Sequence, residues 1–244
     1  MGSREGYDAA GYGDQVADLY DRLYGPDEQA VACLTDLANG GPVLELAIGT
    51  GRLALPLAAG GLEVHGIDAS AAMVAQLRAK PGGDRIHVAI GDFADVEVDG
   101  RFSLVFVAFS TLFALVSPQA QLRCFTNVAA HLTVHGRFLV EVFVPDTSRF
   151  VRRHHLSITK VAEASVLVNA SRLASNTQRV DSLMLWVSDA GVRTWPVRLR
   201  YCYPDELDAM AAAAGLRLEH RWCGWAREPF DDDCARHVSV YVRA

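Results

Sequence analysis

Long hydrophobic runs are missing from this chain. The best, Leu104 to Val116, falls short of the roughly 18 apolar residues a membrane span needs and contains Ser110 and Thr111, so no membrane partner is expected. Positive charge is also in deficit. With 23 Lys plus Arg against 29 Asp plus Glu, the net charge is −6, which gives nucleic acid phosphates no general attraction, and no nucleic acid partner is expected. Met1 to Tyr20 carries Arg4, Glu5, Asp8, Asp14 and Asp18 and has no apolar stretch of signal-peptide type, so no export is implied. Cysteine is sparse and unpatterned. Cys33, Cys124, Cys202, Cys223 and Cys234 show no CxxC spacing and an odd count, so they read as reduced, small apolar residues, and a cytoplasmic location is expected. No metal is expected either, since Cys/His ligand spacing is absent and Asp231-Asp-Asp233 reads as a solvated loop. What is present is a 244-residue chain, 50% hydrophobic and 21% charged, enough apolar surface for one globular domain.

Val16, Leu19, Tyr20, Leu23 and Tyr24 fall three and four apart and predict a helix ended by Gly25-Pro26, with a second helix over Glu28 to Leu37. Pro42 to Ala47 is a short apolar run, followed by Gly49-Thr-Gly51 and a helical Arg52 to Ala59. The unit repeats: strand Glu63 to Ile67, helix Ser70 to Lys80 and strand Arg85 to Ile90. Ser103 to Ala108 is apolar throughout, as in a central parallel strand. Ser117-Pro118 opens a helix over Gln121 to Leu132, and Arg137 to Val144 is the fifth strand. Alternating, β-branched stretches then predict antiparallel strands at Ser157 to Val168, Val180 to Val187 and Val192 to Tyr201, inserted after strand five. A helix after Pro204 and strands Leu216 to Trp222 and His237 to Val242 close the chain. The expected fold is α/β, a doubly wound, seven-stranded, mostly parallel sheet of Rossmann-like type. Residues 1–244 form one domain in this reading: helical lid 1–40, cofactor-binding core 41–146, antiparallel insertion 156–201 and closing elements 202–244.

Chemistry concentrates at the strand ends. Gly49 and Gly51 after the first strand allow close approach of a ligand, beside the free N–H groups of a helix start. Asp68, 17 residues after Gly51, ends strand two, where a carboxylate meets ribose hydroxyls. Gly91-Asp92-Phe93 ends strand three, where Asp92 could accept from an adenine amino group and Phe93 could pack on the ring. Singly, each has a plain structural explanation: a tight turn, a strand cap, a turn residue. Jointly they point to an adenosine-containing ligand, although Gly49-Thr-Gly51-Arg-Leu-Ala54 also satisfies the G-x-G-x-x-A fingerprint of dinucleotide binding.

Glu45-Leu-Ala-Ile-Gly49-Thr-Gly51-Arg52, with Asp68 and Gly91-Asp92-Phe93, resembles the class I S-adenosylmethionine-dependent methyltransferases, which carry an acidic residue four before the first glycine. The resemblance implies S-adenosylmethionine as cofactor. Ala47, Gly49 and Gly51 would line its methionine part with Glu45 below, Arg52 would open the next helix, and Asp68 would hold the ribose. Ala69 and Met73 would flank the adenine on one side, Asp92 and Phe93 on the other, while Ala108, Phe109 and Ser110 would lie near the sulfonium and the acceptor. Ala108-Phe-Ser-Thr111 departs from the N/D-P-P-Y/F motif of one group of adenine, cytosine and glutamine amide methylases, which argues against that substrate class. The N-terminal helix, the insertion and Arg221-Trp222-Cys-Gly-Trp225 resemble small-molecule methyltransferases of bacterial secondary metabolism, including those that act on amino sugars and related amines.

The expected reaction is methyl transfer to an amine of a small molecule, with a hydroxyl as second choice. An NAD(P)-dependent oxidoreductase and a non-catalytic adenosyl-ligand-binding protein are the alternatives. Tyr7, Tyr12, Tyr20 and Tyr24 could form a lid with aromatic faces or phenolic oxygens near the sulfonium, or Tyr20 and Tyr24 could simply face the core. A hydroxyl acceptor needs a base, for which His154, His155, His237 and Glu141 are candidates; His154 and His155 stand at the entrance to the insertion, and Tyr20 joins them among the candidate catalytic residues. The insertion should help form the acceptor pocket or a homo-oligomer contact.

Overall fold

A computed structural model of the protein describes residues 8–244. In chain order it contains α1 (Gly11–Val16), α2 (Tyr20–Leu23), α3 (Glu28–Ala38), β1 (Val43–Leu46), α4 (Ala54–Ala59), β2 (Val64–Asp68), α5 (Ala71–Arg78), β3 (His87–Ile90) and β4 (Phe102–Val107). There follow α6 (Pro118–His131), β5 (Leu132–Phe143), β6 (His154–Ala162), β7 (Ser165–Ala174), β8 (Arg179–Ser188), β9 (Gly191–Arg200), α7 (Pro204–Ala213), β10 (Leu216–Trp222) and β11 (Arg236–Arg243). Side-chain caps start three helices: Asp27 accepts from Ala30 N–H, Ser70 from Met73 and Ser117 from Ala120, each bond contributing about 1 kcal/mol.

The main sheet runs β10-β11-β5-β4-β1-β2-β3. β1 to β5 are parallel, and β11 is antiparallel to both β5 and β10. Chain order reverses between β1 and β4, so the crevice of a doubly wound sheet opens at their carboxyl ends. Leu104, Val105, Phe106 and Val107 of β4 are fully buried because helices cover both faces of the sheet. Each such side chain contributes about 1.5–3 kcal/mol of burial. The register Val107↔Val140 sets Ala108, just past the end of β4, level with Glu141 of β5, which is still paired with Val238 of β11.

A second sheet, β6-β7-β8-β9, clamps the N-terminal helices. Its inner face presents Leu167, Met184, Trp186 and Trp195 to Val16, Leu19, Leu23 and Met73. The Lys160 ammonium donates to the carbonyls of Arg22 and Leu23 at 2.9 Å, closing the end of α2, and Arg193 pairs with Asp18 at 2.7 Å. At the base, the buried Arg200 guanidinium donates to Gln121 Oε1 and Glu206 Oε1 at 2.5 Å, tying the insertion to α6 and α7.

Several expectations are corrected. The predicted helix from Val16 to Tyr24 is broken at residues 17–19, because burying Val16, Leu19 and Leu23 together against α5 and the insertion outweighs continuation of the helix. The insertion has four strands rather than three: the stretch from Ser157 to Val168 turns back at Glu163-Ala164, with Ala162 paired to Ser165. Cys223 and Cys234 are joined in a disulfide across the β10–β11 loop, contrary to the reduced reading. That loop folds back through a bridge between Trp222 and Pro229, a non-local contact that brings the two thiols together. Cys33, Cys124 and Cys202 are free and buried. Among the described residues, no helix is long and apolar enough to cross a membrane.

Candidate active site

The crevice begins at the turn after β1, where Ala47, Gly49 and Gly51 all have left-handed backbone, φ 55°, 57° and 82°. A Cβ on Gly49 would meet only Ala47 O, at 4.0 Å, so that position faces open space. Gly51 differs: a Cβ there would press on Leu55 and Leu77 at 3.0–3.1 Å, so its glycine serves packing. Beside this turn the Asp68 carboxylate is braced from two sides, Oδ2 accepting from Gly49 N–H at 2.7 Å and Oδ1 from Ser70 N–H at 2.8 Å. Burial pushes its carboxyl upward, and the two N–H groups oppose that. Glu45 lies beneath, almost fully buried, with Oε2 lacking any partner. Burial drives its carboxyl up to about 8, against the pull of Arg52, so it is mostly protonated at neutral pH.

Two clasps bring the N-terminal helices onto this turn. Ser70 Oγ donates to Asp14 at 2.6 Å, and α1 approaches so closely that a Cβ on Gly13 would lie 2.5 Å from Ser70 Cβ. Thr50 Oγ1 donates to Asp21 at 2.6 Å, and Lys80 bonds both Asp21, at 2.5 Å, and the Thr50 carbonyl, at 2.7 Å. Aromatic side chains continue from the N-terminal helices to the end of β4. Tyr20 and Tyr24 meet at 5.0 Å, Tyr24 meets Phe109 edge-on at 4.9 Å, and the Arg52 guanidinium sits 5.2 Å over the Phe109 ring. Burial pushes the Tyr20 phenol up to about 12 and those of Tyr12 and Tyr24 upward too. These phenols stay protonated at neutral pH and can offer a hydroxyl hydrogen or an aromatic face, not a phenolate. Tyr7 lies outside the described residues.

Beyond β4, Phe109 and Ser110 are consecutive non-glycine residues with φ 60°, a conformation costing on the order of 1–3 kcal/mol each. Glu141 borders this corner and accepts from Phe109 N–H, while Ser110 N–H donates to Glu141 O at 3.0 Å and Phe143 N–H to Ser110 Oγ at 3.0 Å. Burial raises the Glu141 carboxyl, opposed by the Phe109 N–H, Arg236 and Arg52.

Tyr12, Tyr20, Glu45, Ala47, Gly49, Gly51, Arg52, Asp68, Ala69, Phe109 and Ser110 therefore stand on the elements that surround the crevice. Others do not present themselves as expected. Phe93 is buried in the main core, so its ring is turned away from the crevice. Asp92 Oδ1 accepts from Ala94 N–H at 2.9 Å, a bond that leaves its second oxygen for a ligand. The exposed apolar side chain at the end of β3 is Ile90. Met73 and Ala108 are buried in hydrophobic clusters. His154 sits on the outer face of the insertion, paired across the strands with Arg172, and His155 Nδ1 is engaged with Arg149 O at 3.1 Å. Both line an open hollow of about 1030 Å³ that shares no residue with the β1–β4 ends or the lid, which removes them as bases for this crevice. His237 is buried, bonded to Ser239 Oγ at 2.9 Å and held down to about 4 by burial, so it is neutral and enclosed. Sequence reasoning did not find the clasp residues Asp14, Asp21 and Lys80, whose partners are at least 29 positions away.

The orphaned Glu45 oxygen, the doubly braced Asp68 and the open face of Gly49 fit a ligand with a polar amino-acid arm on one side and a ribose on the other. A methyltransferase-domain family model matches residues 43–136. The chain belongs to the S-adenosylmethionine-dependent methyltransferases, with S-adenosylmethionine as cofactor, and the dinucleotide and non-catalytic alternatives are set aside. It is similar to the CcbJ methyltransferase of Streptomyces caelestis, with 38% identity, a TM-score of 0.90, and 98% of this chain and all of that one covered. It is also similar to a cypemycin N-terminal methyltransferase of Streptomyces sp, 23% identical over 219 residues, covering 88% of this chain and 89% of that protein. The sugar N-methyltransferase KedS8 of Streptoalloteichus sp shares the fold, with a TM-score of 0.69 and 22% identity over all of this chain and 98% of that one.

Proposed function

We propose that the protein methylates an amine nitrogen of a small molecule in the biosynthesis of an antibiotic-type secondary metabolite. The observation that carries this is the aromatic wall of Tyr20, Tyr24 and Phe109, which already holds a guanidinium over the Phe109 ring. Such a surface suits a cationic or amine acceptor. The names of two relatives, a cypemycin N-terminal methyltransferase and the sugar N-methyltransferase KedS8, support the same choice. S-adenosylmethionine, when bound, supplies an activated methyl group on a sulfonium. Asp68 would hold its ribose, Gly49 and the Glu45 carboxyl its amino-acid arm, and Ala69 with Ile90 its adenine. The clasped lid excludes water, and with the Phe109 corner it orients the acceptor; an amine needs no dedicated base once its lone pair is free.

In this reading the chain works as one domain: lid 1–40, cofactor core 41–146, insertion 156–201 and closing elements 202–244. The free, buried thiols of Cys33, Cys124 and Cys202 support a cytoplasmic setting, while the Cys223–Cys234 disulfide does not. The test is incubation with S-adenosylmethionine and matched pairs of amines and alcohols, read by product mass. Methylation of amines alone supports the proposal; methylation of alcohols alone overturns it.

The outer face of the insertion fits a second copy of this chain. Leu156, Ile158, Val161, Leu183 and Val192 are exposed there although the opposite face is already packed. Four strands of about ten residues present roughly 600 Å² in plan before side-chain relief, close to the ~800 Å² per partner of a stable interface. Charge adds to this. At one end Asp181 pairs with Arg172 at 3.2 Å and Arg179 at 3.1 Å, which leaves Arg198, among the described residues, as the cation there that a two-fold arrangement reversing the strands would bring towards Glu163 and Asp189 at the other end. Light scattering should show a dimer or higher oligomer that Leu156→Glu with Leu183→Glu dissociates; a monomeric wild type would refute it.

A further inference from the structure

The corner between β4 and the following turn is held in an unfavourable shape by a residue on the neighbouring strand. Phe109 and Ser110 both have left-handed backbone without being glycine, and past the end of β4 the Phe109 amide finds no strand partner. Its acceptor is the side chain of Glu141, which is only 6% exposed. The Glu141 carbonyl takes the next amide, from Ser110, at 3.0 Å. One residue thus grips two successive amides, and two positions further along β5 the Phe143 amide is bonded to Ser110 Oγ.

The groups around that carboxylate come from three other elements. Arg236 of β11 lies 3.9 Å from Oε1, Arg52 approaches from the turn after β1, and Asp27 from the cap of α3. The grip also directs something. The Phe109 ring is 47% exposed, unusual for so large an apolar group, and it is the ring that the Arg52 cation covers and the Tyr24 edge touches. A fixed Phe109 backbone fixes that ring, and through Tyr24 the inner surface of the lid.

We propose that Glu141 is a positioning residue for methyl transfer: its carboxylate holds the Phe109 amide and thereby sets the aromatic wall against which the acceptor is aligned. This rests on the methyl-transfer reading above but not on the identity of the accepting atom. The grip requires an acceptor oxygen at a particular reach and does not require a proton to be taken. Glutamine keeps both reach and oxygen, aspartate is one methylene short, and alanine has neither.

The experiment compares Glu141→Gln, Glu141→Asp and Glu141→Ala in the full-length protein for kcat, acceptor KM, S-adenosylhomocysteine affinity and thermal midpoint. The amide resonance of Phe109 is followed in nitrogen-labelled protein. We expect Gln to stay within about threefold of wild-type kcat, with Asp and Ala losing about tenfold or more and cofactor affinity unchanged in all three. The Phe109 amide, downfield in wild type because it donates to a carboxylate, should remain bonded in Gln and shift upfield in Ala. Equal loss in Gln and Ala would assign Glu141 to proton transfer and overturn the proposal. Wild-type turnover in Ala would overturn it as well, and so would parallel loss of cofactor affinity, which would mark a general structural role. If Ala fails to fold, Gln against Asp makes the same discrimination. Should the acceptor prove to be an alcohol, the amine assignment fails while the ratio of Gln to Asp still judges Glu141.

Discussion

The two halves of the crevice are shaped by opposite means. At the ends of β1 and β2 the surface of the crevice is mostly backbone: Gly49 and Gly51 adopt left-handed angles without penalty, Ala47 is the one non-glycine in that turn that shares them, and Asp68 is immobilised by two backbone N–H groups. At the ends of β4 and β5 the same left-handed angles fall on Phe109 and Ser110, and a buried side chain holds them there. The first half is set by chain geometry and suits a cofactor that is the same for every family member. The second depends on side chains, so exchanging a few residues can reshape it for another acceptor.

Variants that separate the halves test this contrast. The largest effect is expected at Gly49, where a valine side chain would enter the open ligand space and strain the turn; Gly49→Val should lower S-adenosylhomocysteine affinity by more than about 100-fold in calorimetry. Measurable binding near the wild-type level would show that the ligand does not approach there. Asp68→Ala should follow, weakening the cofactor by about 1–3 kcal/mol with folding intact. If only the acceptor KM moved, the assignment of Asp68 to the cofactor half would be lost.

Glu45 sharpens the comparison through pH. Its carboxyl is raised to about 8 in the folded chain, against about 4.3 when unfolded. Between these values the folded state keeps a proton that the unfolded state releases, so this group makes stability fall as pH rises, by up to about 1.4 kcal/mol per unit. In ligand-free urea unfolding between pH 5 and 8, Glu45→Gln should remove that slope and be the more stable protein at pH 8. Identical slopes for variant and wild type would place the Glu45 carboxyl back in its ordinary range. The smallest effect belongs to the acceptor side: Phe109→Leu, which loses the ring face but keeps the bulk, should weaken a cationic acceptor by about 0.5–2 kcal/mol and leave the cofactor untouched. Loss of cofactor affinity instead would erase the boundary between the halves.

Much of the cofactor half was legible in the sequence because its determinants are local. Glu45, Gly49 and Gly51 fall within seven positions, and Asp68 ends the next strand. Phe93 misled because neighbouring positions at a strand end diverge in direction, and that ring turned into the core. The acceptor half was less legible. The Glu163-Ala164 turn lacks the glycine or proline that usually marks one, and the break between α1 and α2 falls on Ala17 and Leu19, good helix formers overridden by packing. The grip on Phe109 joins residues 32 apart, and nothing in either segment announces it. His154 and His155 looked catalytic from their place in the chain, but pairing in the second sheet turned His154 outward and engaged His155 with Arg149.

Ser70 has a consequence for the end of the catalytic cycle. Its amide braces the carboxylate assigned to the ribose, and its hydroxyl latches Asp14 of the lid. Whatever free energy ribose binding adds to the latch, the latch must return to ribose binding, since coupling between two sites is reciprocal. With Asp68 on the ribose, escape of the spent thioether and opening of the N-terminal helices would be coupled through this one residue. An enzyme coupled in this way would have its turnover open to limitation by product residence rather than by the transfer itself.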